Sequence, residues 1–90
     1  ELIYAPHPSG ALFVVDAEGG EPRAVTALDA TRAEVAHVRP FFLPDGRRFV
    51  YFVRSERREH TGLAAGSLDG ELKKFVAPMP FAPRFVPPAH

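Results

Sequence analysis

The chain has 90 residues, which is enough for one small domain with a modest hydrophobic core. Eleven basic and eleven acidic residues balance to a formal charge of zero, so the composition indicates neither nucleic acid nor an anionic membrane as a partner. The absence of cysteine excludes disulfide bonds and thiolate metal ligands. No apolar run approaches the roughly 20 residues of a membrane-spanning helix, so we expect no membrane insertion.

The amino terminus leaves the cellular compartment open. The chain begins with Glu1 rather than Met, and no charged segment followed by an apolar segment forms a signal peptide. This start indicates a fragment, an excised or engineered piece, or a processed product.

Short strands punctuated by proline and glycine make up the first part of the chain. We predict three of them, separated first by a proline-rich turn and then by a glycine turn, at residues 2–5, 11–16 and 21–26. The third is polar, which is typical of a sheet edge. Residues 27–36 predict a surface connection with one helical turn, capped at Asp29 or Thr31.

The strongest local signal is a β-hairpin at residues 41–54. Apolar runs at 41–43 and 49–53 flank Pro44-Asp45-Gly46, and Asp-Gly accepts the positive φ angles that a tight hairpin turn requires. The run at 49–53 shows no alternation of apolar and polar residues. We therefore expect both faces of that strand to be buried.

The second part of the chain continues the same pattern. We predict strands at 37–43, 48–54, 62–68, 71–76 and 84–86. The first of them should be interrupted at Pro40, because proline has no N–H to donate. A charged loop is expected at 55–61, a second turn at Asp69-Gly70, and a proline-rich loop at 77–83.

Three short matches indicate an internal repeat. They pair Leu2-Ile3-Tyr4 with Phe49-Val50-Tyr51, Gly20-Glu21 with Gly70-Glu71, and Phe42-Leu43-Pro44 with Phe85-Val86-Pro87. The spacings of 47, 50 and 43 residues are close to one four-stranded propeller blade. The predicted division is most of one blade at 1–36, a second blade at 37–76, and a loop with the first strand of a further blade at 77–90.

Three segments carry a resemblance to a known family. They are Gly19-Gly20-Glu21-Pro22-Arg23, residues 37–52 around Leu43-Pro44-Asp45-Gly46-Arg47, and Gly66-Ser67-Leu68-Asp69-Gly70. In this order, over residues 2–86, they resemble TolB-like and WD-repeat-like β-propellers, most closely those attached to bacterial serine/threonine protein kinases. The resemblance implies an all-β propeller fold and a sensing or binding role, usually beyond the membrane. No kinase motif accompanies it.

The chain is expected to hold about two blades, whereas the propellers of this family have six or more. This difference predicts self-assembly. Two bare apolar faces and unpaired strand edges would remain in a monomer. Three copies would close a six-bladed ring and four an eight-bladed ring, with residues 84–86 of each chain pairing with residues 2–5 of the next. The expected function is a non-catalytic binding or scaffold module, whose partners are its own copies and a protein or small molecule. The alternatives are a fragment of a larger kinase-linked sensor and, least favoured, a hydrolase.

His37 and Arg39 are the candidate ligand-binding residues, because they precede the predicted innermost strand. The resembling family also has a His and an Arg before this proline, which implies contact with a polar ligand or anion at the channel mouth. Alternatively, they pair with neighbouring carboxylates or backbone carbonyls. We predict no catalytic residue, metal ligand or cofactor, because the four histidines lack ligand spacing and the serines lack a Gly-x-Ser-x-Gly elbow.

Overall fold

The computed structural model describes residues 2–6, 10–16 and 18–80, and this part of the chain consists mainly of strands and turns. Its strands are β1 (Leu2–Tyr4), β2 (Phe13–Val15), β3 (Arg23–Ala24), β4 (Glu34–Phe42), β5 (Arg48–Ser55), β6 (Gly62–Ser67) and β7 (Lys73–Pro78). Two short 3₁₀ helices, Ala30–Arg32 and Arg58–His60, lie in the connections before β4 and β6.

The strands form two antiparallel sheets, one of three strands in the order β1-β2-β3 and one of four in the order β4-β5-β6-β7. Each strand pairs with its neighbour in sequence, as expected for strands joined by short connections. The predicted all-β class is confirmed, and every strand predicted up to residue 76 has an observed counterpart. The predicted strand at 84–86 lies outside the described residues.

The two sheets pack face to face, and β5 is the most buried strand. Phe49, Tyr51 and Val53 are at most 3% exposed and form one apolar cluster with Leu12 from the first sheet. Phe52, on the other face of β5, is 4% exposed. Both faces of β5 are therefore buried, as its unbroken apolar run predicts. Burying one aromatic side chain of this size contributes roughly 1.5–3 kcal/mol.

The hairpin between β4 and β5 is confirmed, but its turn differs from the predicted one. Only Gly46 has a positive φ, of 69°, whereas Asp45 does not. Pro44 sets a negative φ at the second position of the turn, which favours the common type I geometry. The Asp45 carboxylate closes the turn by accepting the N–H groups of Arg47 at 2.9 Å and Arg48 at 3.0 Å.

β4 begins three residues earlier than predicted and continues through Pro40. Its register against β5 shifts twice, between Glu34 and Ala36 and between Val38 and Phe41. A shift leaves residues without ladder hydrogen bonds, so Pro40, which has no N–H, does not end the strand. The predicted interruption is therefore a bulge, in which Arg39 takes a left-handed φ of 51°.

The predicted helical turn is confirmed as the 3₁₀ helix Ala30–Arg32, and Asp29 is its cap. The Asp29 carboxylate accepts the N–H of Thr31 at 2.9 Å, which satisfies an amide that has no partner inside the helix. Of the two predicted caps, Asp29 therefore acts as the cap and Thr31 donates to it.

The closest approach of β6 and β7 lies at Gly62 and yields a stability prediction. A Cβ atom there would overlap the carbonyl oxygen of Ala77 and lie 2.7 Å from the backbone of Met79. We expect Gly62→Ala to lower the free energy of unfolding by about 3 kcal/mol, the upper end of the cost of overpacking, because only backbone can move. Urea unfolding measures this change.

Gly66→Ala is the matched control for Gly62→Ala. A Cβ at Gly66 meets the ring of Phe49 at 3.0 Å, and a side chain can shift more easily than a strand. We expect a smaller loss of stability there. Equal losses in the two variants would contradict the tight backbone contact at Gly62.

Candidate functional site

A polar cluster is buried between the two sheets, where the connection from β3 enters β4. His37 is 1% exposed, and the side chain of Glu34 is 6% exposed. His37 Nε2 lies 2.7 Å from Glu34 Oε1, and His37 Nδ1 lies 2.8 Å from Thr26 Oγ1. The backbone N–H of His37 donates to the carbonyl of Gly10 at 2.7 Å, which ties β4 to the segment that leads into β2.

Glu34 and His37 meet because β4 is irregular. In a regular strand, residues three positions apart point to opposite faces of the sheet. The register shift between Glu34 and Ala36 adds one residue and reverses this alternation. Because of the bulge, Glu34 and His37 lie on the same face of β4 and form a buried pair.

The hydrogen bonds fit a neutral imidazole at His37. Thr26 Oγ1 accepts the N–H of Leu12 at 2.9 Å, which leaves its own proton for His37 Nδ1. The proton on His37 Nε2 is then donated to the Glu34 carboxylate. Burial lowers the pKa of His37 below its ordinary 6.5, and the hydrogen bond and charge of Glu34 oppose this shift.

Tyr51 borders the cluster on β5. Its ring centroid lies 4.8 Å from that of His37, and the residue is 3% exposed. Its hydroxyl makes no hydrogen bond with any residue among 2–6, 10–16 and 18–80. Burial, together with the negative charge of Glu34, raises the pKa of Tyr51 to about 12, so the phenol stays protonated and can donate.

Two cavities open beside Tyr51. One, of about 400 Å³, lies between the residues after β3 and the start of β7, and the other, of about 330 Å³, lies beside the 3₁₀ helix before β4. Tyr51 and Lys73 line both of them. We call these two cavities together the Tyr51 cleft.

Cationic groups surround the second cavity of the Tyr51 cleft. The guanidinium of Arg32 lies over the ring of Phe75, 4.8 Å from its centroid, and Arg32 Nε lies 3.8 Å from Glu34 Oε2. Lys73 is exposed and forms no ion pair within the described part of the chain. The hydrogen bond from the Thr31 side chain lowers the pKa of Asp29, and the positive charge of Lys73 adds to this effect. Burial lowers the pKa of His37, and the charge of Lys73 acts in the same direction.

The two predicted ligand-binding residues occupy different environments. His37 is buried and pairs with Glu34, which is the alternative that the sequence left open. Arg39 is exposed in the second bulge of β4 and makes no hydrogen bond or ion pair with the residues that the structure describes. Ligand contact by either residue stays a prediction.

A cavity of about 660 Å³ lies between the two predicted Asp-Gly turns. The carboxylates of Asp45 and Asp69, which line it, accept hydrogen bonds within the turns. Hydrogen bonds from the backbone N–H groups of Arg48 and Arg47, and from the Arg48 side chain, lower the pKa of Asp45 to about 2. Asp69 accepts the Ser67 hydroxyl and the Glu71 N–H. The predicted role of both aspartates in turns is confirmed.

Metal ligands do not converge in the described structure. No group of three His, Asp or Glu side chains that could hold a metal ion occurs within residues 2–6, 10–16 and 18–80. His60 is half-buried in the second 3₁₀ helix, and His7 and His90 lie outside those ranges.

The residues that line the Tyr51 cleft were not predicted as site residues. Thr26 and Lys73 belong to strands that read as polar edges, and Tyr51 reads as an ordinary member of an apolar run. A polar hydroxyl at the centre of that run was the one available signal, because a buried phenol normally finds a hydrogen-bond partner. The sequence does not show which groups meet it.

The buried His37 predicts a pH-dependent stability. Because its pKa is lower in the folded chain, the unfolded chain binds more protons as the pH falls below about 6.5. Glu34, Tyr51 and Lys73 are the titratable groups that face it. We expect the stability to be complete above about pH 6.5 and to fall toward about pH 5, at most by about 1.4 kcal/mol per pH unit, in urea unfolding.

Two variants test the origin of this dependence. His37→Gln should flatten the slope of unfolding free energy against pH, because it removes the titrating group. His60→Gln should retain the slope. The same slope in wild type and His37→Gln would exclude His37 as the cause.

Comparisons with known proteins add no assignment. A scan of protein-family models, a search of curated proteins and a search of solved structures each gave no match. No helix within the described residues is long and apolar enough to span a bilayer.

Proposed function

We propose that this chain is a non-catalytic β-propeller binding and scaffold module that assembles with its own copies into a closed ring. The observation that carries the proposal is the difference between the two sheets. The first has three strands and the second has four, and both are simple antiparallel meanders. The first sheet thus resembles a blade that lacks the strand equivalent to β4.

The repeat in the sequence supports this correspondence. Leu2-Ile3-Tyr4 forms β1, and its match Phe49-Val50-Tyr51 lies in β5. Gly20-Glu21 precedes β3, and its match Gly70-Glu71 precedes β7. β1, β2 and β3 therefore correspond to β5, β6 and β7, and among the described strands none pairs with the other edge of β1.

The sequence of a neighbouring copy contains a match to the missing strand. Phe85-Val86-Pro87 matches Phe42-Leu43-Pro44 at the end of β4. An unpaired strand edge is a template for such an addition, because each new backbone hydrogen bond satisfies an exposed group. In the proposed ring, residues 84–86 of one chain pair with β1 of the next.

The outward faces of both sheets are apolar. Since Ile3 and Leu12 pack into the core, the alternating residues of the first sheet point away from it, namely Leu2, Tyr4, Phe13 and Val15. On the second sheet the outward positions include Val38, Val50, Phe52, Leu63 and Ala65. A ring would pack the first set against the second and so remove apolar area from water.

The charge distribution favours contact between unlike faces. Five acidic residues and one basic residue precede position 30, whereas nine basic and six acidic residues lie between 30 and 80. If the acidic part of one chain, before position 30, contacts the basic part of the next, between 30 and 80, opposite net charges meet. Contact between two equivalent parts does not bring opposite charges together. Head-to-tail contacts of this kind close into rings.

The described serine hydroxyls and the imidazole of His37 are held in contacts within the chain. Ser55 donates to the carbonyl of Arg32 and Ser67 donates to Asp69. His37 is occupied by Thr26 and Glu34. These contacts assemble no serine–histidine pair within the described chain.

The mass in solution tests the ring. We expect size exclusion with light scattering to give a sharp species of three or four times the 9.9 kDa chain. Deleting residues 84–88 should abolish it, because the donated strand is lost. A monomeric full chain would contradict the ring and favour the alternative of a fragment whose missing strand comes from a longer sensor propeller.

A pair of leucine variants tests the contact surface. Leu2 on β1 is 59% exposed and Leu28 in the connection after β3 is 37% exposed, so glutamate at either position costs the monomer little. We expect Leu2→Glu to weaken assembly at least about tenfold by placing a charge in the interface, and Leu28→Glu to leave it unchanged. Equal behaviour of the two variants would place the interface elsewhere.

A further inference from the structure

We propose that the Tyr51 cleft binds a small oxyanion, a carboxylate or a phosphate, through the hydroxyl of Tyr51, the ammonium of Lys73 and the guanidinium of Arg32. The inference concerns a site separate from the apolar faces and from His37 and Arg39. It does not depend on ring closure, because these three residues line cavities within one chain.

The hydroxyl of Tyr51 is the first observation. The residue is 3% exposed, yet the hydroxyl has no hydrogen-bond partner in the described part of the chain. Tyr51 lines both cavities, so its hydroxyl is available as a donor to a molecule that enters them. The protonated phenol donates a hydrogen bond to an acceptor on that molecule.

One oxygen of each carboxylate beside the cleft already accepts hydrogen bonds within the chain. Glu34 Oε1 accepts from His37 Nε2 and from the backbone N–H of Asp29. The Asp29 carboxylate accepts the N–H and hydroxyl of Thr31. Glu34 Oε2 faces Arg32 at 3.8 Å. The cations that line this cavity, Arg32, Lys73 and Lys74, outnumber its two carboxylates, which favours an anionic ligand.

The unused groups are donors. Lys73 lines both cavities and has no carboxylate partner among the described residues. Arg32 is held over Phe75, and its terminal N–H groups make no hydrogen bond to the described chain. A phenol, an ammonium and a guanidinium around one cavity match the oxygens of an anion.

The dimensions of the cleft select a small molecule. Its cavities of about 330 and 400 Å³ lie at the lower end of the range for ligand pockets. Val53, Ala64 and Phe75 supply an apolar wall to the smaller one. A compact carboxylate with a short hydrocarbon body fits this combination, and inorganic phosphate shares its oxyanion chemistry.

Calorimetric titration of the full-length chain tests the site. The probes are succinate and inorganic phosphate, with sodium chloride at matched ionic strength as the reference. We expect saturable binding of at least one oxyanion and none of chloride. Binding of succinate alone assigns carboxylates, and binding of phosphate alone assigns phosphate groups. A signal that depends only on ionic strength, or no signal, would overturn the proposal.

The two tyrosines of the chain provide a matched pair of variants. Tyr51→Phe should weaken oxyanion binding about tenfold or more, because a hydrogen bond to a charged group is lost. Tyr4→Phe makes the same chemical change outside the cleft and should leave affinity unchanged. Lys73→Gln should weaken binding and reduce its dependence on salt.

Unfolding of the free variants separates binding from folding. Tyr51→Phe removes a hydroxyl that has no intramolecular partner, so we expect its stability without added oxyanion to equal or exceed that of wild type. Reduced affinity with unchanged stability supports a direct contact. Wild-type affinity in Tyr51→Phe would remove the hydroxyl from the site and overturn the proposal.

Discussion

Burial of β5 on both faces is the constraint on which the rest of the structure depends. Its odd-numbered side chains form the core with the first sheet, and Phe52 is buried on the opposite face. A strand of this kind needs a layer on each side, because leaving large aromatic groups in water costs more than such a small domain can offset. The first sheet supplies one layer. On the opposite face Phe52 is already shielded within the chain, and the proposed ring would cover the remaining outward apolar area.

The same packing leaves room for polar chemistry at one end. The first sheet has only short strands, and its third strand, Arg23–Ala24, has two residues. Beyond it, Thr26 in the connection to β4 and Glu34 and His37 at the start of β4 lie between the sheets. Every polar atom named in that cluster has a partner, so the cluster stabilises the fold as well as bordering the Tyr51 cleft.

Assembly and oxyanion binding use different parts of the molecule. The proposed ring contacts lie on outward faces and on the edge of β1, which are apolar or backbone surfaces. The proposed oxyanion site lies between the sheets of one chain and uses donors. A scaffold with these two properties would present one identical anion site per copy around the ring, and multivalent binding would follow from symmetry without any new contact.

The sequence by itself determined the strands, because proline, glycine and aspartate punctuate them locally and the unbroken apolar run of β5 records burial on both faces. It did not determine the turn geometry at Asp45, where proline and a side-chain hydrogen bond replace a second positive φ. It also indicated His37 and Arg39 as candidate ligand-binding residues and left open their pairing with neighbouring carboxylates, and in the structure His37 pairs with Glu34. Only the tertiary structure decided the bulge, the Glu34–His37 pair and the unpaired hydroxyl of Tyr51, because each depends on contacts between residues that are distant in the chain or out of strand register.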